Sequence, residues 1–113
     1  MKVSFEGVGE QVLSFGNAEG VNKGSLVKIG ANASVSACAA GNKFAGVCIS
    51  ADGAFAEVQT AGYVELGYTG TAPALGYENL VAADANAVKA DSTGREYLVI
   101  KVDTAAARVG FII

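Results

Sequence analysis

Residues 25–50, SLVKIGANASVSACAAGNKFAGVCIS, and residues 79–103, NLVAADANAVKADSTGREYLVIKVD, follow one plan. With Ser34 skipped, Leu26-Val27 aligns with Leu80-Val81 and Ala31-Asn32-Ala33 with Ala85-Asn86-Ala87. Val35 then falls on Val88, Ala37 on Ala90, Gly41 on Gly94 and Phe44 on Tyr97. Each copy reads as an apolar strand start, a turn centred on Asn, a second short strand, a glycine turn and a strand opened by an aromatic residue. At about 25 residues, neither copy can bury its apolar face alone. Two copies packed about a pseudo-twofold axis and sharing one core are therefore expected. Lys28 and Lys43 stand where Ala82 and Glu96 stand. The repeat is read as architecture first, with a binding loop in each copy as the alternative.

Between and beyond these landmarks the apolar residues recur with period two, the signature of half-buried strands. FAGVCIS sets Ala45, Val47 and Ile49 against Gly46, Cys48 and Ser50, and Asp52-Gly53 supplies a hairpin turn. FAEVQT follows, with Glu57 and Gln59 on the face opposite Ala56 and Val58, so residues 44–60 read as a hairpin with one wet face. GYVELGY sets Val64, Leu66 and Tyr68 against Tyr63 and Glu65, and EYLVIKV, DTAA and ARVGFII close the chain as a last strand pair. Fifteen glycines and a single proline, Pro73, break the chain into short strands. The expected fold is a small all-β barrel built from two similar β units, with little or no helix beyond a short turn near Ala74 to Asn79. Residues 1–19, MKVSFEGVGEQVLSFGNAE, precede the repeat and are read as an arm or edge strand belonging to neither copy, with the alternative that Val3, Phe5, Val12 and Phe15 complete the domain's own barrel. Residues 20–113 are read as a single β domain.

Half of the 113 residues are hydrophobic and 17% are charged, which sets aside disorder. No apolar run approaches the ~20 residues of a membrane-spanning helix, and the N-terminal residues lack the apolar stretch of a signal peptide. A cytosolic, membrane-free chain is the expectation. The net charge is −3 and the eight Lys and Arg are scattered singly, so no nucleic-acid partner is expected. Cys38 and Cys48 lie among small apolar residues and are read as free thiols acting as small hydrophobes, with a bridge between neighbouring strands as the alternative.

The chain has no His and no Trp. That removes Ser-His-Asp and Cys-His catalysis and histidine zinc sites. Asp52, Asp84, Asp91 and Asp103 all fall beside turns, where carboxylates bond their own backbone. No phosphate-binding glycine loop and no calcium-loop spacing occurs. Asn32-Ala33-Ser34 has the form of a glycosylation acceptor, which matters only in a secreted chain. Lys89 sits on a strand rather than at the hairpin tip where a biotinyl or lipoyl lysine is displayed. The expectation is a protein that is not an enzyme, with no cofactor and no metal.

KFAGVCISADGAFAEVQTAGYVELGYTG, followed by GYENLVAADANAVKADSTGREYLVIKVDTAAARVGFII, resembles the head decoration proteins of tailed bacteriophages. The shared pattern is a GVxxS…DG…V hairpin, a Gly-Tyr-Val strand edge, a glycine-punctuated hairpin and a final strand pair, over residues 20–113. The resemblance implies a β-clip or β-tulip core. It implies a structural protein, made in the bacterial host cytoplasm, that binds the outside of a mature phage head on the major capsid protein. Such proteins commonly sit as homotrimers at three-fold positions and stabilise the shell. The resemblance also implies an N-terminal arm that docks on the shell, here through Val3, Phe5, Val8, Val12 and Phe15. Apolar residues near strand ends, Tyr63, Val64, Leu66 and Tyr68, are the expected subunit interface. The alternative is a small β-barrel binding module, for instance for carbohydrate, using Tyr63, Tyr68 and Tyr77. A weaker one is an enzyme of the β-clip class whose site is completed between subunits.

Overall fold

The computed structural model describes residues 9–16, 20–52 and 54–113. These form ten strands: β1 (Gln11–Gly16), β2 (Leu26–Ala31), β3 (Ser34–Ala37), β4 (Gly46–Ala51), β5 (Phe55–Ala61), β6 (Tyr63–Tyr68), β7 (Gly76–Ala82), β8 (Ala87–Ala90), β9 (Arg95–Asp103) and β10 (Arg108–Ile112). Among the described residues there is no helix, and the turn considered at Ala74 to Asn79 instead leads into β7. The strands close into two five-stranded barrels, ordered β1-β3-β2-β4-β5 and β10-β6-β8-β7-β9. The protein is all-β and built from two similar units.

The correspondence between the units is wider than the repeat seen in the sequence. β1 lies antiparallel to β5 and meets β3 in parallel at Gly16 and Ser34. β6 lies antiparallel to β10 and meets β8 in parallel at Gly67 and Ala87. β1 is thus the counterpart of β6, and the units run from β1 to β5 and from β6 to β10. Of the two readings of the opening stretch, Gln11–Gly16 follow the one in which it completes the barrel: they form a strand paired on both sides, which corrects the reading of an edge belonging to neither copy. LSFG in β1 answers VELG in β6, with apolar residues at the same two places and glycine at the parallel bridge.

The paired apolar residues that open each copy now have a cause. Neighbouring residues on a strand point to opposite faces, and β2 is buried on both. Val27 joins Val21, Val35, Cys48, Ala56 and Val58 inside the first barrel. Leu26 points the other way, into a cluster made mostly by the second unit, with Leu80, Val88, Tyr97, Val99, Val109 and Phe111. Sharing of the core is therefore partial: one cluster spans both units, and a second belongs to the first unit alone.

Backbone bonds tie the units directly. The Leu26 N–H donates to Ala85 O (2.7 Å), the Gly41 N–H to Ala82 O (2.8 Å) and the Ala82 N–H to Asn42 O (2.9 Å). Two glycines make the packing possible: a Cβ on Gly46 would run into the Gln59 carbonyl, and one on Gly94 into the Leu80 carbonyl.

Two details of the expected hairpin differ. In the β4–β5 register Cys48 faces Val58 but Ser50 faces Glu57, so Ile49 is the extra residue of a bulge. The alternation shifts there: Cys48 is buried with Val47, and Ile49 is turned to solvent. Gln59, placed on the wet face by strict alternation, is 8% exposed. Its Nε2 donates to the carbonyls of Ala61 and Tyr63, both at 3.1 Å, and so spans the link between the units.

Candidate binding faces

The carboxylates at turns are committed to their own backbone. Asp84 Oδ1 accepts from the Asn86 N–H (2.7 Å), and Asp103 Oδ1 from the N–H groups of Ala105 and Ala106, both at 3.1 Å. Asp91 Oδ1 accepts from the Thr93 hydroxyl (2.7 Å) and N–H (2.8 Å), which hold its carboxyl below the ordinary carboxylate value. Asp52 Oδ1 accepts from Phe55 (2.8 Å) and Ala54 (3.0 Å) N–H groups, with the same consequence. Among the described residues no group of three or more His, Cys, Asp or Glu is placed to hold a metal ion. Nor is any helix long and apolar enough to cross a membrane.

Both cysteines are free and buried. Burial pushes the Cys38 thiol up to about 11, partly offset by the Lys28 ammonium, and raises Cys48 as well. Protonated, enclosed thiols are poor nucleophiles.

The residues expected at interfaces are divided by the structure. Val3, Phe5 and Val8 lie outside the described residues. Val12 is exposed on β1, whereas Phe15 is half-buried and packs against the first barrel's interior. Val64 and Leu66 are buried in the shared cluster, and Tyr68 packs against it. Tyr63 is 7% exposed, its hydroxyl donating to Glu65 Oε2 at 3.0 Å. Tyr63, Val64 and Leu66 are thus spent inside their own chain, which corrects their assignment to a subunit interface, while Tyr68 is half-buried: alternation shows which residues share a face but not that β6 is covered. For the same reason Tyr63 offers no open sugar platform.

Among the described residues, other places are open. On the second unit Tyr77 stands directly opposite Leu98, and Leu98 opposite Ile112, in one row across β7, β9 and β10. Tyr77 is 70% exposed, and Leu75 beside it 67%. On the first unit Ser14, Ser50, Asp52, Phe55 and Glu57 line a groove of about 230 Å³. At the junction a groove of about 430 Å³ is lined by Glu10, Val47, Gln59, Tyr63, Val64, Glu65 and Arg108. The sequence reading missed Leu75, Leu98 and Phe55. For Phe55 a signal existed: the alternation that turns Glu57 outward turns Phe55 outward too.

Comparison of the chain with protein-family models, with curated proteins and with solved structures gave no match.

Proposed function

We propose that this protein is a structural decoration protein of a tailed-phage head, bound to the outer surface of the shell on the major capsid protein. The observation that carries the reading is the Tyr77–Leu98–Ile112 row with Leu75. Closed barrels leave little free strand edge for pairing with another chain, so a partner has to be met through a face. This face is apolar where the fold does not require it. Tyr77 and Leu98 are 70% and 38% exposed and belong to neither buried cluster. Large exposed apolar residues held side by side on a rigid sheet are the usual mark of a contact surface. The sequence resemblance supplies the identity of the partner, and a homotrimer seated at three-fold positions is the arrangement it implies.

The test is cosedimentation of the purified protein with mature heads of the tailed phage whose capsid gene neighbours its own. Saturable binding, at a stoichiometry set by the lattice and lost in the Tyr77→Ser/Leu98→Ser double variant, is expected. Failure to bind such heads, or a gene that neighbours no capsid gene, contradicts the reading.

A further inference from the structure

The two units carry the same row of positions on one outer face, filled in one and open in the other. In the first unit Ser14 and Ser50 each stand directly opposite Glu57, across β1, β5 and β4. Two residues along β5, on the same face, Phe55 is opposite Gly16 and 62% exposed. In the second unit the matching row is Glu65, Gly110 and Lys101, and the matching pair is Gly67 and Arg108.

That second row is closed on itself. Lys101 Nζ lies 4.0 Å from Glu65 Oε2, the Tyr63 hydroxyl donates to the same oxygen, and the Tyr63 phenol occupies the space over Gly110. Arg108 Nη2 donates to Glu65 O at 3.3 Å. The first row has none of these. The Glu57 side chain has neither hydrogen-bond nor ion-pair partner among the described residues, and where Arg108 closes one row the other presents the bare ring of Phe55. Gly16 has no side chain to cover that ring's flank: even an added Cβ there would meet nothing closer than Ala33 O at 3.8 Å. Asp52 completes the groove's lining, with Oδ1 held by the N–H groups of Ala54 and Phe55.

We propose that this groove is a carbohydrate subsite that takes one neutral pyranose unit of a glycan. An exposed aromatic ring offers its electron-rich face to the C–H side of a sugar. Ionised carboxylates accept hydrogen bonds and donate none. Glu57 and Asp52 therefore select a ligand rich in hydroxyl donors, while Ser14 and Ser50 both donate and accept. The same two charges repel uronic and sialic acids. At about 230 Å³ the groove is smaller than the roughly 300–1,000 Å³ of drug-sized sites. That size suits a single ring of a chain lying across the open face. The site is on the other unit from the Tyr77 row and does not rest on the shell reading.

The test is a titration of the ¹⁵N-labelled full chain with N,N′-diacetylchitobiose, maltotriose and methyl mannoside, each with EDTA present, and separately with calcium chloride alone. At least one sugar is expected to shift the amides of Ser14, Ser50, Phe55 and Glu57 saturably while those of Glu65, Lys101 and Arg108 stay put. Phe55→Ala, at a mostly exposed position, should keep the dispersed spectrum and weaken binding about tenfold. Glu57→Gln should weaken it without removing it, and Tyr77→Ala should leave it unchanged. The proposal is overturned if none of the three sugars shifts these amides. It is likewise overturned if the shifts gather around Tyr77, if Phe55→Ala binds as tightly as the parent, or if calcium alone moves Asp52 and Glu57 and no sugar does.

Discussion

Phe44 and Tyr97, the aromatic residues at matching places in the two repeat copies, stack on each other with ring centroids 5.1 Å apart and planes 9° from parallel. Phe111 closes the cluster, 6.0 Å from Phe44 and 5.3 Å from Tyr97. The pair joins the units at their shared core, so it is the place to measure how strongly one unit depends on the other. Phe44→Ala is expected to lower stability by about 3–5 kcal/mol, the range for removing a buried aromatic side chain. A double-mutant cycle of Phe44→Leu with Tyr97→Leu should give a coupling of roughly 0.5–1.5 kcal/mol in urea unfolding. Additive losses would mean that the stack contributes nothing beyond its buried area.

Gln59 makes a second link. With its side chain shortened, the Ala61 and Tyr63 carbonyls lose their donor at a buried site. Gln59→Ala should cost roughly 1–3 kcal/mol, and Gln59→Glu more, because it aims a carboxylate at those carbonyl oxygens. Chemical denaturation of the two variants checks the order.

β1 distinguishes a barrel strand from an arm. Removing residues 1–16 should abolish the cooperative thermal transition, because it strips β5 of one of its two partners and opens the first barrel to water. A truncated chain that melts like the parent would return this stretch to the role of an arm.

Alkaline pH reports on Cys38. Its folded value of about 11 lies above the ordinary 9.0, so between those limits the unfolded chain sheds a proton that the native chain keeps. The contribution is fully present below pH 9 and is lost as pH rises toward 11. Cys38→Ala should fall less steeply in stability across that window, and iodoacetamide should label neither cysteine of the native protein at pH 8.

Much of this was legible in the chain, and the exceptions have physical causes. The two hairpin units, their turns and the Phe44–Tyr97 correspondence follow from period two, Asp and Gly at turns and a repeat kept at its most constrained positions. β1 escaped because a strand repeats only its pattern: LSFG and VELG share one identical residue, although both set apolar side chains at the same places. Ile49 and Gln59 escaped because a bulge and a buried amide break strict alternation, and neither leaves a mark in composition. The open faces escaped for another reason. Ser14 is distant in sequence from Ser50 and Glu57, and only strand register brings the three into one row. Tyr63, apolar and near a strand end, looked like a contact residue until its burial was known.

The most direct measurement compares shell binding by two variants that alter one unit's face each, Tyr77→Ser/Leu98→Ser and Phe55→Ser/Glu57→Gln. All four positions are exposed, so both proteins should keep the parent's β spectrum and melting temperature to within a few degrees. In cosedimentation with mature heads, the first variant is predicted to stay in the supernatant and the second to pellet with the parent's affinity. Equal binding by both variants, or loss in the second alone, would contradict the assignment of the Tyr77 face to the shell.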